Sequence, residues 1–295
     1  MRDFRWPPPP GSGPHTYGPG PTGPYSGRPS LPQPETSLAG TPHGVELEYL
    51  VTGVGDPVTV FAHGLGNGIA ETRPLGSSVA GRRVFFQFRG HGRSSAPDGE
   101  WTYEDLARDL RAMADLSGAT RALGVSLGAG ALCRLLTDHP DRFDRVVLFL
   151  PAVLDKPRAE AARARLEALL AAIDESDAAG VADVLAQEIP PGMRNNPAAW
   201  SFLRQRMDML MGDGLAPGLA SLPAQVAVPD TAALAAVTAP VLVIGSQGDD
   251  LHPASVAEEL AGTMPNASLH IYDKPGILWT NRADLRERIG TFLNQ

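Results

Sequence analysis

Short apolar runs alternate with amphipathic stretches along most of the chain. Residues 45–51, VELEYLV, alternate apolar and polar side chains, as a half-buried strand does. PVTVFAHG at 57–64 and RRVFFQFRG at 82–90 are apolar runs that end in glycine, and each predicts a strand. YEDLARDLRAMADLSG at 103–118 has its apolar positions at helical spacing. TRALGV, FDRVVLFLPAV, APVLVIGSQGDD and ASLHIYD then predict four further strands between residues 120 and 273. Strands that alternate with helical periods imply an α/β fold, a mainly parallel sheet covered by helices on both faces.

Two regions break this rhythm. Residues 155–236 contain RAEAARARLEALLAAIDE and AAWSFLRQRMDMLMG, both helical in period, with no strand between them. They predict a helical cap, inserted between two strands and lying over the strand ends where such sheets bind ligands. Within it Trp200, Phe202, Met207, Met209, Leu210 and Met211 are apolar enough to line a cavity, and equally suited to helix packing. Residues 1–42 hold 12 of the chain's 28 prolines, interleaved with glycine. That composition buries little apolar surface and predicts a disordered tail. The expected division is therefore a tail at 1–42, a core at 43–154 and 237–295, and a cap at 155–236.

Composition narrows the function. The 295 residues carry a net charge of −8, so no basic surplus exists to neutralise a nucleic-acid backbone. No apolar segment reaches the roughly 20 residues that span a bilayer. No apolar run follows Met1 and Arg2, so a secretory signal is not expected and the cytoplasm is the expected location. The single cysteine, Cys133, has no internal disulfide partner and reads as a small buried hydrophobe. No Cys/His cluster has metal-ligand spacing, and no cofactor or metal is expected.

The chemistry concentrates at Gly124-Val125-Ser126-Leu127-Gly128. This G-x-S-x-G follows an apolar run and precedes a helical pattern, the setting in which the pentapeptide forms a nucleophile elbow. Three further stretches keep it company in order: His63-Gly64-Leu65-Gly66 after a strand, Arg89-Gly90-His91-Gly92-Arg93-Ser94, and Gly245 to Pro253 after VLVI. Together they resemble the α/β-hydrolase superfamily over residues 45–295. The resemblance implies Ser126 as nucleophile, Asp249 as the acid, and the backbone N–H groups of Leu65 and Leu127 as an oxyanion hole. Asp249 fits that role better than Asp250, because Pro253 lies four residues after it. His63 and His91 are expected to support their loops without moving protons.

The chain departs from the family pattern at the base. The family's histidine follows the last strand, where this sequence has Ile277. His270 lies inside that strand and is not expected to act as a base. Gln87 is a lesser departure, standing where many relatives have an acid. His252, three residues after Asp249, is the candidate replacement, and its other reading is a loop histidine packed on Pro253. Two functions follow. One is a serine-dependent hydrolase of a small ester, thioester or related acyl substrate, acting through an acyl-enzyme on Ser126. The other is a non-hydrolytic protein of the same fold, a binding or regulatory protein or a lyase or cyclase.

Overall fold

The structure is a computed structural model that describes residues 34–189, 191–193, 196–212 and 217–295. Its elements run β1 (Ser37–Gly40), β2 (Glu46–Thr52), β3 (Val58–Ala62), α1 (Ile69–Leu75), β4 (Arg82–Phe86), α2 (Tyr103–Ser117), β5 (Arg121–Val125) and α3 (Leu127–Asp138). They continue through β6 (Arg145–Phe149), α4 (Glu160–Asp174), α5 (Ala178–Ala186), α6 (Pro197–Gly212), β7 (Val241–Ser246), α7 (Ala254–Thr263), β8 (Ala267–Tyr272), α8 (Ile277–Thr280) and α9 (Arg282–Leu293). The eight strands form one sheet in the order β1-β2-β4-β3-β5-β6-β7-β8. β1 and β2 run antiparallel, as do β2 and β4; every other neighbouring pair is parallel.

The apolar runs became central strands because both faces of the sheet are covered. Along β3, Val58, Val60 and Ala62 enter the cluster on one face while Phe61 enters the other. Helices α2, α3 and α7 bury Leu106, Leu110, Leu132, Leu136 and Leu260 on the first face. Helices α1 and α9 bury Ile69, Leu75, Leu285 and Ile289 on the second. α2 starts at a reciprocal cap, with Asp105 N–H donating to Thr102 Oγ1 and Thr102 N–H donating to Asp105 Oδ2.

The sheet begins earlier than the sequence suggested. Ser37–Gly40 pairs with β2 in register from Ser37 opposite Tyr49 to Gly40 opposite Glu46, so the expected tail at 1–42 runs into an edge strand. Residues 1–33 of that tail lie outside the described residues. Between β6 and β7 the described residues contain helices and no strand, with α4, α5 and α6 packed on one another.

Ala199, Leu203, Met207 and Leu210 recur along α6 at helical spacing and bury into this third cluster. Trp200, Met209 and Met211 pack at its edge. The side chain of Phe202 lies outside the described residues. None of the other five lines the main cavity, so of the two roles open to them the structure gives these residues helix packing. The helices need those residues to hold one another, and α6 presents Ser201 and Arg206 to the cavity instead.

Candidate active site

The strand order reverses between β3 and β5, which makes the crevice at their carboxyl ends a topological switch point. Ala62 at the end of β3 pairs with Gly124 at the end of β5. The loop with the HG motif and the serine turn therefore leave the sheet side by side. The loop that carries Asp249 and His252 leaves β7, two strands from β5. The loop that carries Ile277 leaves β8, one strand further away.

Ser126 sits at φ 49°, ψ −105°, a region that L residues visit only when their surroundings hold them there. Such a conformation costs on the order of 1–3 kcal/mol. Two anchors hold it: Ser126 N–H donates to Phe149 O at 3.0 Å, and Gly128 N–H donates to His63 O at 3.1 Å. The flanking glycines are required by space. A Cβ on Gly124 would lie 2.4 Å from Gly128 O, and one on Gly128 would lie 2.5 Å from Ala62 O.

His252 lies between Ser126 and Asp249. Its Nε2 is 2.9 Å from Ser126 Oγ, and its Nδ1 is 3.0 Å from Asp249 Oδ2. A carboxylate only accepts, so Nδ1 carries the proton and Nε2 presents its lone pair to the serine hydroxyl. The loop folds this way because Asp249 turns its own chain: Oδ1 accepts from Leu251 N–H and from His252 N–H, each at 3.1 Å. This Asx-type turn brings a residue three positions on back over the carboxylate that starts it. Burial pushes the Asp249 carboxyl up, but the hydrogen bond and charge of His252 and the two backbone donors outweigh it. The group is held below the usual carboxylate range and stays ionised.

Leu127 is the first residue of α3, where the backbone N–H has no partner within the helix. Leu65 lies in the turn closed by Asn67 N–H on Gly64 O. Leu65, Ser126, Leu127 and His252 all border one small recess. Two buried histidines hold the Leu65 loop. His63 is wholly buried; its Nδ1 donates to Gly64 O at 2.7 Å and its Nε2 accepts from Phe88 N–H at 3.0 Å. His91 Nε2 accepts from Gly66 N–H at 3.3 Å, and its Nδ1 donates to Arg89 O. Burial and the neighbouring His91 push the His63 pKa well below its ordinary value. Burial pushes that of His91 down to about 4, so both rings are neutral spacers.

The arginine of the RGHGRS turn is fixed by a bidentate bond. Arg89 Nε and Nη2 donate to Asp109 Oδ2 and Oδ1 at 2.9 and 2.7 Å. The Gln87 side chain lies against Gly92 of this turn, and its Oε1 has no hydrogen-bond partner among the described residues. Glu48, from β2, accepts from Arg93 N–H at 2.8 Å, and Ser94 Oγ donates to Gln87 O. His270 stays on β8, with its ring edge-on to Tyr272. Ile277 is 1% exposed and belongs to the core cluster under α9. Cys133 is buried, and burial pushes its thiol up to about 12.

Above the elbow lies a cavity of about 1400 Å³. Ser126, Asp249 and His252 form its floor with Leu65, and Arg165, Leu166 and Leu169 from α4 form part of its roof. Among the charged residues of its wall that the sequence did not point to are Glu71 and Arg206. Glu71 Oε2 accepts from Gly64 N–H at 2.8 Å. Arg206 Nε donates to Gly66 O at 3.5 Å, and its Nη1 is paired with Glu188. An acid in the first turn after the HG motif was the one available signal for Glu71. Among the described residues, no group of three or more His, Cys, Asp or Glu is placed to hold a metal. No described helix is long and apolar enough to cross a membrane.

A family profile described as alpha/beta hydrolase fold matches residues 57–276. The curated protein "Putative carbamate hydrolase RutD" of Variovorax paradoxus is 33% identical over 244 residues, covering 78% of this chain and 88% of that protein. Among solved structures, an enol-lactonase from Burkholderia xenovorans superposes with a TM-score of 0.74 at 23% identity, over 88% of this chain and 100% of that one. A hydrolase from Pseudomonas aeruginosa superposes with a TM-score of 0.72 at 24% identity, over 89% of this chain and 99% of that one.

Proposed function

The chain belongs to the α/β-hydrolase fold family, and on that premise we propose that it is a serine hydrolase of a small acyl compound. The observation that carries the reading is His252, within hydrogen-bond distance of both Ser126 and Asp249. A serine hydroxyl is a weak nucleophile until a neighbouring base accepts its proton.

The reaction follows from these positions. Ser126 Oγ attacks the substrate carbonyl as its proton passes to His252 Nε2, and Asp249 stabilises the imidazolium through Nδ1–H. Charge develops on the carbonyl oxygen, which the N–H groups of Leu65 and Leu127 receive. One such donor contributes about 2.7–4 kcal/mol to the transition state. The imidazolium then returns its proton to the leaving group, and the carbon–leaving-group bond breaks to leave an acyl-enzyme on Ser126. Water repeats the sequence with His252 again as base, releasing the acid and restoring the serine.

Esters, thioesters and related acyl compounds suit this chemistry. A carbamate is included because the relative from Variovorax paradoxus bears the name of a carbamate hydrolase. The alternative, a binding or regulatory protein or a lyase or cyclase, drew its support from the lack of a histidine near Ile277. A base within reach of Ser126 favours hydrolysis over it. The test is intact-mass analysis of protein mixed with p-nitrophenyl acetate and phenyl carbamate. One acyl or carbamoyl group is expected on Ser126, with product release, and neither in Ser126→Ala. Folded protein that forms no adduct and turns over neither compound would overturn the proposal.

A further inference from the structure

Glu71 is a charged group that the steps above do not use. It is the third residue of α1, and its carboxylate reaches back past the start of the helix to the loop before it. There Oε2 accepts from Gly64 N–H at 2.8 Å, one residue before Leu65. Glu71 also lines the cavity that holds Ser126 and His252. The loop is thus gripped at the N–H groups on either side of Leu65: Gly64 by Glu71, and Gly66 by the neutral ring of His91. The His91 grip is uncharged. The Glu71 grip changes with ionisation.

We infer that Glu71 is a positioning residue, an ionisable latch whose carboxylate fixes the oxyanion loop through Gly64 N–H and whose protonation loosens it. The inference rests on the proposed serine hydrolysis. A hydrogen bond to a carboxylate is roughly twice as strong as one to a neutral acceptor, so the ionised form holds Leu65 N–H most firmly. Two charged groups and one imidazole face Glu71 from other elements. Arg206 on α6 and His252 on the β7 loop favour its ionised form, and Glu188 after α5 opposes it. Burial outweighs the favourable contacts and pushes the Glu71 carboxyl up to about 7. The latch therefore changes state near pH 7. Arg206, beside Gly66 O, offsets the negative charge that the latch brings near the oxyanion.

Glu71→Gln separates the acceptor from the charge. A glutamine carbonyl still accepts from Gly64 N–H, so the loop keeps its path but loses the pH response. Two readouts are taken on the full chain. The first is the Gly64 amide proton in glycine-labelled protein, which needs no turnover. Its shift is expected to titrate near pH 7 in the wild type and to stay flat in Glu71→Gln.

The second is the acid limb of kcat/KM for p-nitrophenyl acetate. Where Glu71 is ionised the wild type stands about fivefold above Glu71→Gln, and that ratio is expected to fall toward one as the pH drops below about 7. At pH 8.5 Glu71→Gln is expected to lower kcat about fivefold with KM unchanged, and Glu71→Ala to fall at least about tenfold further. A wild-type Gly64 amide that does not titrate between pH 5.5 and 8.5 would overturn the latch, as would identical acid limbs in an active enzyme. A titrating amide in a protein that hydrolyses nothing would leave the latch standing and remove the proposed function instead.

Discussion

Asp249→Asn tests how the loop after β7 sets the proton on His252. In the native turn Asp249 Oδ1 accepts two backbone N–H groups at 3.1 Å, and Oδ2 accepts His252 Nδ1–H at 3.0 Å. An asparagine has one carbonyl oxygen for these two sides. If the oxygen stays with the backbone donors, the NH2 group faces Nδ1 and forces it to accept. The ring proton then sits on Nε2 and points at Ser126, where it cannot act as base. If the amide flips, the NH2 faces Leu251 N–H and His252 N–H, and two donors lose their acceptor. Each unmade bond costs about 1–3 kcal/mol, so the flip is disfavoured by about 2–6 kcal/mol and the wrong tautomer prevails. The wrong tautomer lowers turnover in serine triads by about 10⁴, or about 5.4 kcal/mol in the barrier. The assay is kcat on p-nitrophenyl acetate at pH 8, with the melting temperature as control for folding. A folded Asp249→Asn protein within about tenfold of the wild type would refute the orientation argument.

Two further outcomes follow from packing and burial. Gly128→Ala puts a Cβ 2.5 Å from Ala62 O and 2.7 Å from Ala62 C, both backbone atoms of a strand buried on two faces. It should cost about 1–3 kcal/mol and lower Tm by several degrees, together with activity; an unchanged Tm in a thermal melt would contradict the close approach. His91 is held neutral in the fold while its unfolded form titrates near 6.5, so the unfolded state takes up the proton first as pH falls. Its contribution to stability is fully present above about pH 6.5 and is lost down to about pH 4, a change of about 3 kcal/mol. The Tm gap between wild type and His91→Asn should therefore narrow from pH 7.5 to 4.5, and a constant gap would reject the burial effect.

Much of this was legible in the amino acids. Seven of the eight strands follow from the apolar runs and alternations, and the glycines around Ser126 from the space at the elbow. β1 was hidden because SLAG, between prolines, carries no apolar alternation and owes its place to pairing with β2. His252 could be named as a candidate base but not oriented, since its position depends on two backbone bonds to Asp249. The α6 residues stayed open between two roles because an apolar stripe has the same spacing whether it faces a cavity or another helix. Glu71 and Arg206 were missed for a different reason. They act on backbone atoms of a loop far from them in sequence or across a helix start, and side-chain motifs record no such contact.

The central claim is that His252 is the base for Ser126, and phosphonylation measures it most directly. A fluorophosphonate reacts with an activated serine irrespective of the natural substrate. At pH 8 the wild type should label to completion at Ser126. His252→Ala should label at least about 10³-fold more slowly with its melting temperature unchanged, since loss of the base in a serine triad lowers turnover by about 10⁶. Equal labelling rates in the two folded proteins would contradict the account.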